Sequence, residues 1–318
     1  MRVLRYTDAD ATQWDDFASH APMATFLHSR RFLSYHGERF KDVSLLVEDE
    51  KKGIVGLFPA ALDPSDEKRV VSHPGITYGG MLHGGALRGE RMLQALDAAR
   101  SYYSGEGFET LRYKAVPYIY HQVPSSDDLY ALFRVGARRY RCDLSCSIDL
   151  YNRLSPAQRR KRGLKTALKH GVKVEEGSEC AGALWHVLEE NLSKKHAVSP
   201  VHSLNEILTL HTLFPTNIRF VVACLDSQVV AGVVLFVSAR VVHAQYIASS
   251  VTGYDVCALD AVFEHCIQKA TAEGARYFDF GINNENEGQD LNVGLYEFKS
   301  GFGGSGVVHE WYHINLRS

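Results

Sequence analysis

Apolar positions along the chain follow strand spacing and helix spacing in an order that occurs twice. In the first half, strand patterns at residues 43–47, 54–62 and 70–82 precede a helix at 91–103 and a strand at 109–116, and the pattern at 70–82 is broken at residues 73–75. In the second half, strand patterns at 218–225, 229–238 and 241–249 precede a helix around 259–270 and an aromatic strand at 277–280. A glycine follows each helix. We therefore predict two copies of one α/β unit.

The hydrophobic pattern is interrupted at residues 151–177, which contain a proline, a basic run and glycines. This interruption predicts an N-terminal domain at 1–150 and a C-terminal domain at 151–318. Each domain is expected to be a mixed central sheet flanked by helices, so the predicted fold class is α/β. Shorter features are also expected, including a helix around residues 26–33.

Composition is that of a globular protein, with 45% hydrophobic and 23% charged residues and a formal net charge of −2. This charge provides no global attraction to nucleic acid or to an anionic membrane. The longest apolar run, 229–237, is too short for a membrane-spanning helix, and the N-terminus MRVLRYTDAD has no apolar signal region. We expect a cytoplasmic protein that acts on small molecules, with neither membrane insertion nor a nucleic-acid partner.

The cysteines and histidines indicate neither a disulfide framework nor a metal site. No CxxC pair occurs among the six cysteines, and Cys142 and Cys146 alternate with polar residues on a predicted strand. They are interpreted as small core residues in a reducing compartment. The 15 histidines are scattered, and no pair has helical metal-binding spacing beside a carboxylate, so no metal is expected.

The stretch that carries the clearest candidate chemistry is residues 277–304, YFDFGINNENEGQDLNVGLYEFKSGFGG. Its aromatic strand places Asp279 on the face opposite the two phenylalanines. A polar loop follows, and then a helical turn at 294–299 that should present Leu295 and Phe298 to the core. Polar loops at the carboxyl edge of a sheet often bind ligands, although a surface loop rich in turn formers would have the same pattern.

FDFG, a polar loop and GLYEFKSGFGG together resemble the FemABX branch of the GNAT-type acyltransferases, and a looser match extends over almost the whole chain. That branch includes aminoacyl-tRNA-dependent peptidyltransferases of cell-wall synthesis and CoA-dependent acyltransferases. The resemblance implies two GNAT-like domains in tandem and the transfer of an acyl group to an amine. The interruption between the two predicted domains, residues 151–177, contains no long charged helical hairpin like the coiled-coil arm of some relatives. This absence disfavours a tRNA substrate.

The resemblance places Phe298 and Lys299 at the transfer site. A lysine there can balance the developing oxyanion or hold a substrate phosphate, whereas the alternative is a solvent-facing helix lysine. Asp279 and Glu285 are candidates for the base or for orienting the amine. A structural salt bridge for Asp279 and a solvated loop position for Glu285 are the alternatives.

Three residues of the strand at 241–249 are further candidates. Strict alternation would place His243 and Gln245 on one face and Tyr246 on the other, and either set could contact the substrate. His243 could act as a base near neutral pH, but nothing in the sequence orients it. Hydrogen-bonded core packing is the alternative for all three residues.

Acyl-CoA is the expected co-substrate, and its site should follow this strand, where a helix N-terminus can receive a pyrophosphate. The segment SVTGYDVCAL supplies Ser250, Gly253 and Tyr254 but has one glycine and no basic residue, which departs from the usual GNAT loop. The basic helix face at 159–169, including Arg162, is the candidate phosphate clamp. A solvated basic face is the alternative.

The resemblance implies that the region of Lys195 and His196 contributes to acceptor binding, whereas cations that favour a helix C-terminus are the alternative. The other candidates for substrate contacts rest on placement. The predicted substrate-binding set is completed by Asn283, Asn284, Lys195, His196, Tyr78, His73 and Arg30. The preferred function is transfer of a short acyl group from acyl-CoA to the amine of a nucleotide-linked amino sugar for a surface polysaccharide. The alternatives are an aminoacyl-tRNA-dependent peptidyltransferase acting on a peptidoglycan precursor and a non-catalytic ligand-binding domain pair.

Overall fold

The structure is a computed structural model that describes residues 1–196 and 200–317, without the side chains of residues 192–196. In the first half, the strands are β1 Arg2–Arg5, β2 Leu45–Asp49, β3 Gly53–Phe58, β4 Ala61–Asp63, β5 Asp66–Val71, β6 Leu82–His83, β7 Thr110–Lys114 and β8 Arg138–Asp149. The helices of that half are α1 Ala11–His20, α2 Arg30–Leu33, α3 Glu90–Gly105 and α4 Asp127–Arg134.

The second half continues the same mixture of strands and helices. Its strands are β9 Lys173–Glu176, β10 Ile218–Leu225, β11 Gln228–Val237, β12 Val241–Ser249, β13 Tyr277–Ile282, β14 Asn284–Glu285, β15 Asp290–Leu291 and β16 Ser305–Asn315. Its helices are α5 Gln158–Lys169, α6 Ala181–His196, α7 Leu204–Leu213, α8 Val251–Asp255, α9 Ala258–Ala272 and α10 Val293–Ser300.

These elements form two compact units. The first comprises residues 1–144, 284–290 and 308–318, and the second comprises 145–283 and 291–307. The chain therefore passes between the units within β8 and again within β16. The domain limits 1–150 and 151–318, and the placement of the transfer site in the latter, stay predictions.

The sheet of the second unit has the strand order β8-β13-β12-β11-β10-β9. β11 lies between β10 and β12 and is antiparallel to both, which explains why it is apolar on both faces. β12 and β13 instead run parallel, and their register extends from Val241–Tyr277 to His243–Asp279. Both strands run on beyond that point, so the ladder ends before the strands do.

Helices cover both faces of this sheet. α9 packs on the face that carries Val233 and Leu235, whereas α6 brings Trp185 against Tyr246 on the opposite face. Phe263 of α9 is fully buried, and its ring contacts those of Phe278, Phe280, Phe298 and Phe302. The aromatic strand and α10 are thus held in one apolar core.

The first unit contains the sheet β1-β2-β3-β6 and the strand series β4-β5-β7-β16. β5 and β7 are its parallel pair, in register from Arg69–Thr110 to Val71–Arg112. Both units therefore contain a parallel strand pair whose ladder spans three residues of each strand. The predicted α/β fold class, with a mixed sheet flanked by helices, is confirmed.

Two local predictions are wrong, and one predicted strand break is observed. The helix expected at 26–33 is broken because Ser29 is extended and its hydroxyl accepts the backbone N–H of Phe32, which starts α2 as a separate turn. The break predicted at His73 within 70–82 is observed: β5 ends at Val71, since His73 has a φ of 54° and precedes a proline. Leu295 is 37% exposed and does not enter the core.

The six cysteines are free thiols, and Cys146, Cys224 and Cys266 are buried. Burial raises the pKa of the Cys146 thiol to about 12, so the thiolate does not form near neutral pH. In the described part of the chain, no helix combines the length and apolar character needed to cross a bilayer.

Replacing Phe263 with Ala should lower the free energy of unfolding of the second unit by about 3–5 kcal/mol, because a fully buried ring at the centre of four others is lost. Urea denaturation monitored by fluorescence measures this change. Phe133→Ala is the matched control, since that ring is 75% exposed and its removal should change stability little. Equal effects of the two substitutions would contradict the central position of Phe263.

Candidate active site

Asp279 lies at the last pair of the parallel ladder, and its carboxylate is fully buried. Its Oδ1 accepts hydrogen bonds from the hydroxyls of Ser145 and Ser147, each at 2.5 Å. Its Oδ2 lies 2.7 Å from Nδ1 of His243. Since an ionised carboxylate only accepts, His243 donates through Nδ1 and its Nε2 is the nitrogen that can take a proton. The carboxylate thus fixes the orientation and tautomer of the His243 ring.

A β-bulge in β12 changes which residues share the face of His243. Leu235 pairs with Ala244 and Val234 with Tyr246, so Gln245 is the extra residue. Residues paired across a ladder share a face, and consequently His243 and Tyr246 point to the same side of the sheet. The prediction that Tyr246 points away from His243 is wrong. The bulge is the reason, because strict alternation holds only in a regular strand.

Tyr246 is held by neighbours that the sequence analysis did not identify. Its hydroxyl lies 2.5 Å from Nδ1 of His202 and accepts the backbone N–H of that residue at 3.2 Å. The Trp185 ring packs edge-on against it at 5.2 Å, and the Gln245 side chain also bonds to it. Burial raises the pKa of Tyr246 to about 12, so the phenol stays protonated at neutral pH.

Lys299 is buried and clamps the end of β13. Its Nζ donates to the carbonyl oxygens of Gly281 at 3.0 Å and Ile282 at 2.8 Å. Burial lowers the pKa of Lys299 to about 8, although the nearby Asp279 carboxylate opposes that shift. With 4% of its surface exposed, Lys299 faces the backbone of its own unit and is not the solvent-facing lysine of the alternative interpretation.

The residue that Lys299 holds lies beside the imidazole. Gly281 has a φ of 78°, and a Cβ at this position would lie 3.3 Å from Cε1 of His243. Both the backbone conformation and the close approach favour glycine here. Lys299 therefore fixes the turn against which the His243 ring rests.

The polar loop divides between the two units. Asn283 is buried in the second unit, where its Nδ2 donates to the Gly281 carbonyl at 3.4 Å. Asn284 and Glu285 belong to the first unit, in which Asn284 Oδ1 accepts the backbone N–H of Leu144 and Glu285 is exposed. Of the four predicted catalytic residues, the structure joins Asp279, His243 and Lys299 through the Gly281 turn.

An open cleft with about 850 Å³ of empty space lies in the second unit. Its lining residues come from α5, the end of β12, α8, α9 and α10: Arg159, Arg160, Arg162, Gly163, Thr166, Ser249, Gly253, Tyr254, Cys257, Leu259, Asp260 and Phe298. The cleft thus brings together Gly253, Tyr254, Arg162 and Phe298 of the predicted site.

The cations of this cleft have different environments. Arg160 pairs with Asp260 at 3.1 Å and lies 4.8 Å above the Phe298 ring, so it is part of the packing. Arg159 and Arg162 have exposed side chains. Exposed arginines beside an open cleft can bind phosphate groups of a ligand.

Close packing shapes one wall of the cleft. A Cβ on Gly253 would collide with the carbonyl oxygen of Val230, so only glycine fits there. The neighbouring Ser250 is predicted to bind the cofactor, but its hydroxyl caps α8 by accepting the backbone N–H of Gly253 at 3.1 Å. Ser250 therefore shapes this wall.

The candidates of the first unit are interior residues. Arg30 donates to Asp42 at 2.5 Å and stacks between the rings of Tyr6 and Trp14. His73 and Tyr78 are each 3% exposed, and burial lowers the pKa of His73. The side chains of Lys195 and His196 lie outside the described residues.

Ser145 and Ser147 were missed as site residues, although a signal for them exists. They alternate with Cys146 and Ile148 in β8, so both hydroxyls point to the face opposite the apolar core. Asp279 likewise faces away from Phe278 and Phe280. The sequence does not show that β8 lies directly beside β13, with Ser147 opposite Asp279.

Comparisons with known proteins agree with this architecture. Residues 155–300 match the family model of the acetyltransferase (GNAT) domain. The solved structure of FemX is similar with a TM-score of 0.70 at 13% identity, covering 99% of this chain and 97% of FemX. A tandem GNAT protein from the clavulanic acid biosynthesis pathway gives 0.53 at 11% identity over 100% of this chain and 99% of its own.

A further similar structure is L-PGS from Bacillus licheniformis, with a TM-score of 0.58 at 13% identity over 83% of this chain and 82% of that protein. No curated protein matches the sequence. The second unit thus carries a GNAT domain. The chain as a whole has the FemABX-like tandem GNAT fold, which confirms the predicted resemblance.

Lys299→Met should remove a pH dependence of stability. The folded chain releases the Lys299 proton near pH 8, whereas the unfolded chain keeps it up to the ordinary pKa of 10.5. Between these values the unfolded state binds more protons, so raising the pH should stabilise the wild type relative to the variant by up to about 3 kcal/mol. Urea unfolding from pH 7 to 10.5 measures the difference.

Lys52→Met provides the control for this experiment, because Lys52 is exposed. Its stability should run parallel to the wild type over the whole pH range. A parallel course for Lys299→Met as well would show that Lys299 is not buried as a charged group.

Proposed function

We propose that this chain is an N-acyltransferase that moves a short acyl group from acyl-CoA to the amine of a nucleotide-linked amino sugar. The GNAT domain supports an acyltransferase. The observation that carries the proposal is the His243–Asp279 pair at the end of the parallel ladder. α10 connects this pair to the open cleft, since Phe298 lines the cleft and Lys299 holds the turn beside His243.

In the proposed reaction, Nε2 of His243 takes a proton from the substrate ammonium group. The free amine attacks the thioester carbonyl carbon, and the tetrahedral intermediate releases its second amine proton to solvent as it collapses to an amide and CoA thiolate. The thiolate then takes the proton held by the imidazolium. Asp279 stabilises that imidazolium and fixes the ring tautomer. Lys299 supplies positive charge near the reacting groups while its N–H groups hold the Gly281 turn.

The cleft supplies the proposed donor site. Arg159 and Arg162 would bind CoA phosphates, and Gly253 and Tyr254 form the wall beyond β12. In the described residues of the chain, no group of three or more histidine, cysteine or acidic side chains is arranged to hold a metal ion. The proposal uses acyl-CoA as co-substrate and routes no step through a metal.

We propose one donor site per chain, in the second unit. In the first unit, the space beyond the last residues of the parallel strands β5 and β7 is filled by the turn at residues 72–80, so it offers no second donor site. The backbone N–H of Lys114 donates to Ser72 Oγ at 2.7 Å, and Gly79 donates to the Lys114 carbonyl at 3.0 Å. Lys114 Nζ in turn donates to the carbonyl oxygens of His73 and Ile76.

Calorimetric titration with CoA should therefore saturate at one CoA per chain. Arg159→Ala with Arg162→Ala should weaken binding roughly 10-fold to 100-fold, because charge-assisted hydrogen bonds to phosphate are lost. Lys161→Ala is the control, because Lys161 is exposed on the same helix but is not among the described residues that line the cleft. Its loss should leave CoA binding nearly unchanged. Equal weakening by both changes would point to nonspecific charge.

His243→Gln should lower the turnover of acetyl-CoA with an amino-sugar nucleotide by roughly 10²-fold to 10⁴-fold while leaving CoA binding intact, because the proton acceptor is lost. Release of the CoA thiol provides the assay. His265→Gln is a matched control, since His265 pairs with Glu176 at 2.6 Å elsewhere in the same unit. Full activity of His243→Gln would remove His243 as the base.

A negative CoA titration would redirect the proposal. Aminoacyl-tRNA would then be tested as the donor, with transfer to a peptidoglycan precursor, and its binding should fall steeply with salt. Binding of a sugar nucleotide without turnover of either donor would identify a non-catalytic domain pair.

A further inference from the structure

The hydroxyls of two serines in β8 both donate to the same oxygen atom of the Asp279 carboxylate. Ser145 is fully buried and Ser147 is 4% exposed, and each Oγ lies 2.5 Å from Oδ1 of Asp279. A hydroxyl has a single proton to donate, so both serines have committed that proton to the carboxylate. His243 occupies the other oxygen.

Because Asp279 is fully buried, the hydrogen bonds from the two serines are needed to stabilise its charge. A carboxylate withdrawn from water is costly unless hydrogen bonds replace its hydration. At Oδ1 the two serines provide that replacement, and they also fix the rotation of the carboxylate. As a result Oδ2 is directed to Nδ1 of His243.

We propose that Ser145 and Ser147 are positioning residues that hold Asp279 ionised and set the basicity of His243. This inference rests on the proposed function, in which His243 is the base. Neither hydroxyl contacts the reacting groups, since both act through Asp279. Their role is to limit how strongly the carboxylate pulls on the imidazole proton.

The direction of the effect follows from charge sharing. Two hydroxyl donors spread part of the negative charge of Asp279 toward β8, which weakens its attraction for an imidazolium. Without them, the carboxylate becomes a stronger acceptor and the protonated form of His243 is favoured. The pKa of His243 should therefore rise when the hydroxyls are removed.

Other titratable groups near the pair are the same in wild type and variants. Lys299 from α10 and Cys146 from β8 both interact electrostatically with Asp279. Tyr246 shares the face of His243 and stays protonated up to a pKa of about 12. A change in the titration of His243 can thus be assigned to the serines.

The experiment is an NMR titration of the histidine Cε1–H signals, with the His243 signal assigned from His243→Gln, in the full chain. Ser145→Ala with Ser147→Ala should raise the pKa of His243 by about one unit, and each single substitution by less. Ser145→Thr with Ser147→Thr retains both hydroxyls and should restore the wild-type value. Ser44→Ala is the control, because that hydroxyl is buried in the first unit against Asp42 and the Ala60 carbonyl.

A pH profile of kcat/KM gives the second readout. Its acid limb should move to higher pH in the double alanine variant by the same amount as the NMR titration, with little change at the alkaline plateau. An unchanged His243 pKa in the folded double variant would overturn the proposal, as would a shift that the threonine variant does not restore. If the double variant does not fold, the two single variants decide by the same titration.

Different results would overturn the acyltransferase function and the positioning role of Ser145 and Ser147. If the wild type transfers no acyl group, the proposed function fails, but the NMR titration still decides whether the serines control His243. If transfer occurs with an acid limb that ignores the serines, the acyltransferase stands and the positioning role is overturned.

Discussion

The buried charge of Asp279 is the constraint on which the second unit depends. Its compensation comes from two strands: β8 supplies the hydroxyls of Ser145 and Ser147, and β12 supplies the imidazole of His243. β13, which carries Asp279, must therefore lie between them with its register fixed to within one residue. A shift of one residue would turn Asp279 toward the apolar side and expose Phe278 and Phe280. The hydrogen bonds of this one carboxylate therefore join β13 to both of its neighbouring strands.

Each unit uses a buried lysine to hold backbone carbonyl oxygens, with different results. Lys299 holds the Gly281 turn and leaves the imidazole of His243 beside it. Lys114 holds the turn that fills the opening after the parallel pair of the first unit, and burial lowers its pKa to about 7. The same kind of interaction therefore holds one strand end beside an imidazole and fills the space after the other.

The α/β class, the order of the elements and the aromatic strand could be predicted, because periodic apolar positions report burial directly. The resemblance added the tandem GNAT fold. The side of the sheet to which Tyr246 points could not be predicted, because the sequence contains no signal for the bulge at Gln245. The partner of His243 was also hidden, because Asp279 is 36 residues further along the chain and meets it only through a parallel ladder. Arg30, His73 and Tyr78 were candidates by their placement in the sequence, yet burial and aromatic packing account for their positions.

The route of the chain through its two units has a consequence for synthesis on the ribosome. Residues 311–315, which lie far downstream of β7 in the chain, form the ladder with β7 in the first unit. Until these residues leave the ribosome, the edge of β7 that they cover has unpaired backbone donors and acceptors. The first unit is thus completed only after residues 145–283 of the second unit have been translated, so a nascent chain paused between the two units would need protection from edge-to-edge association.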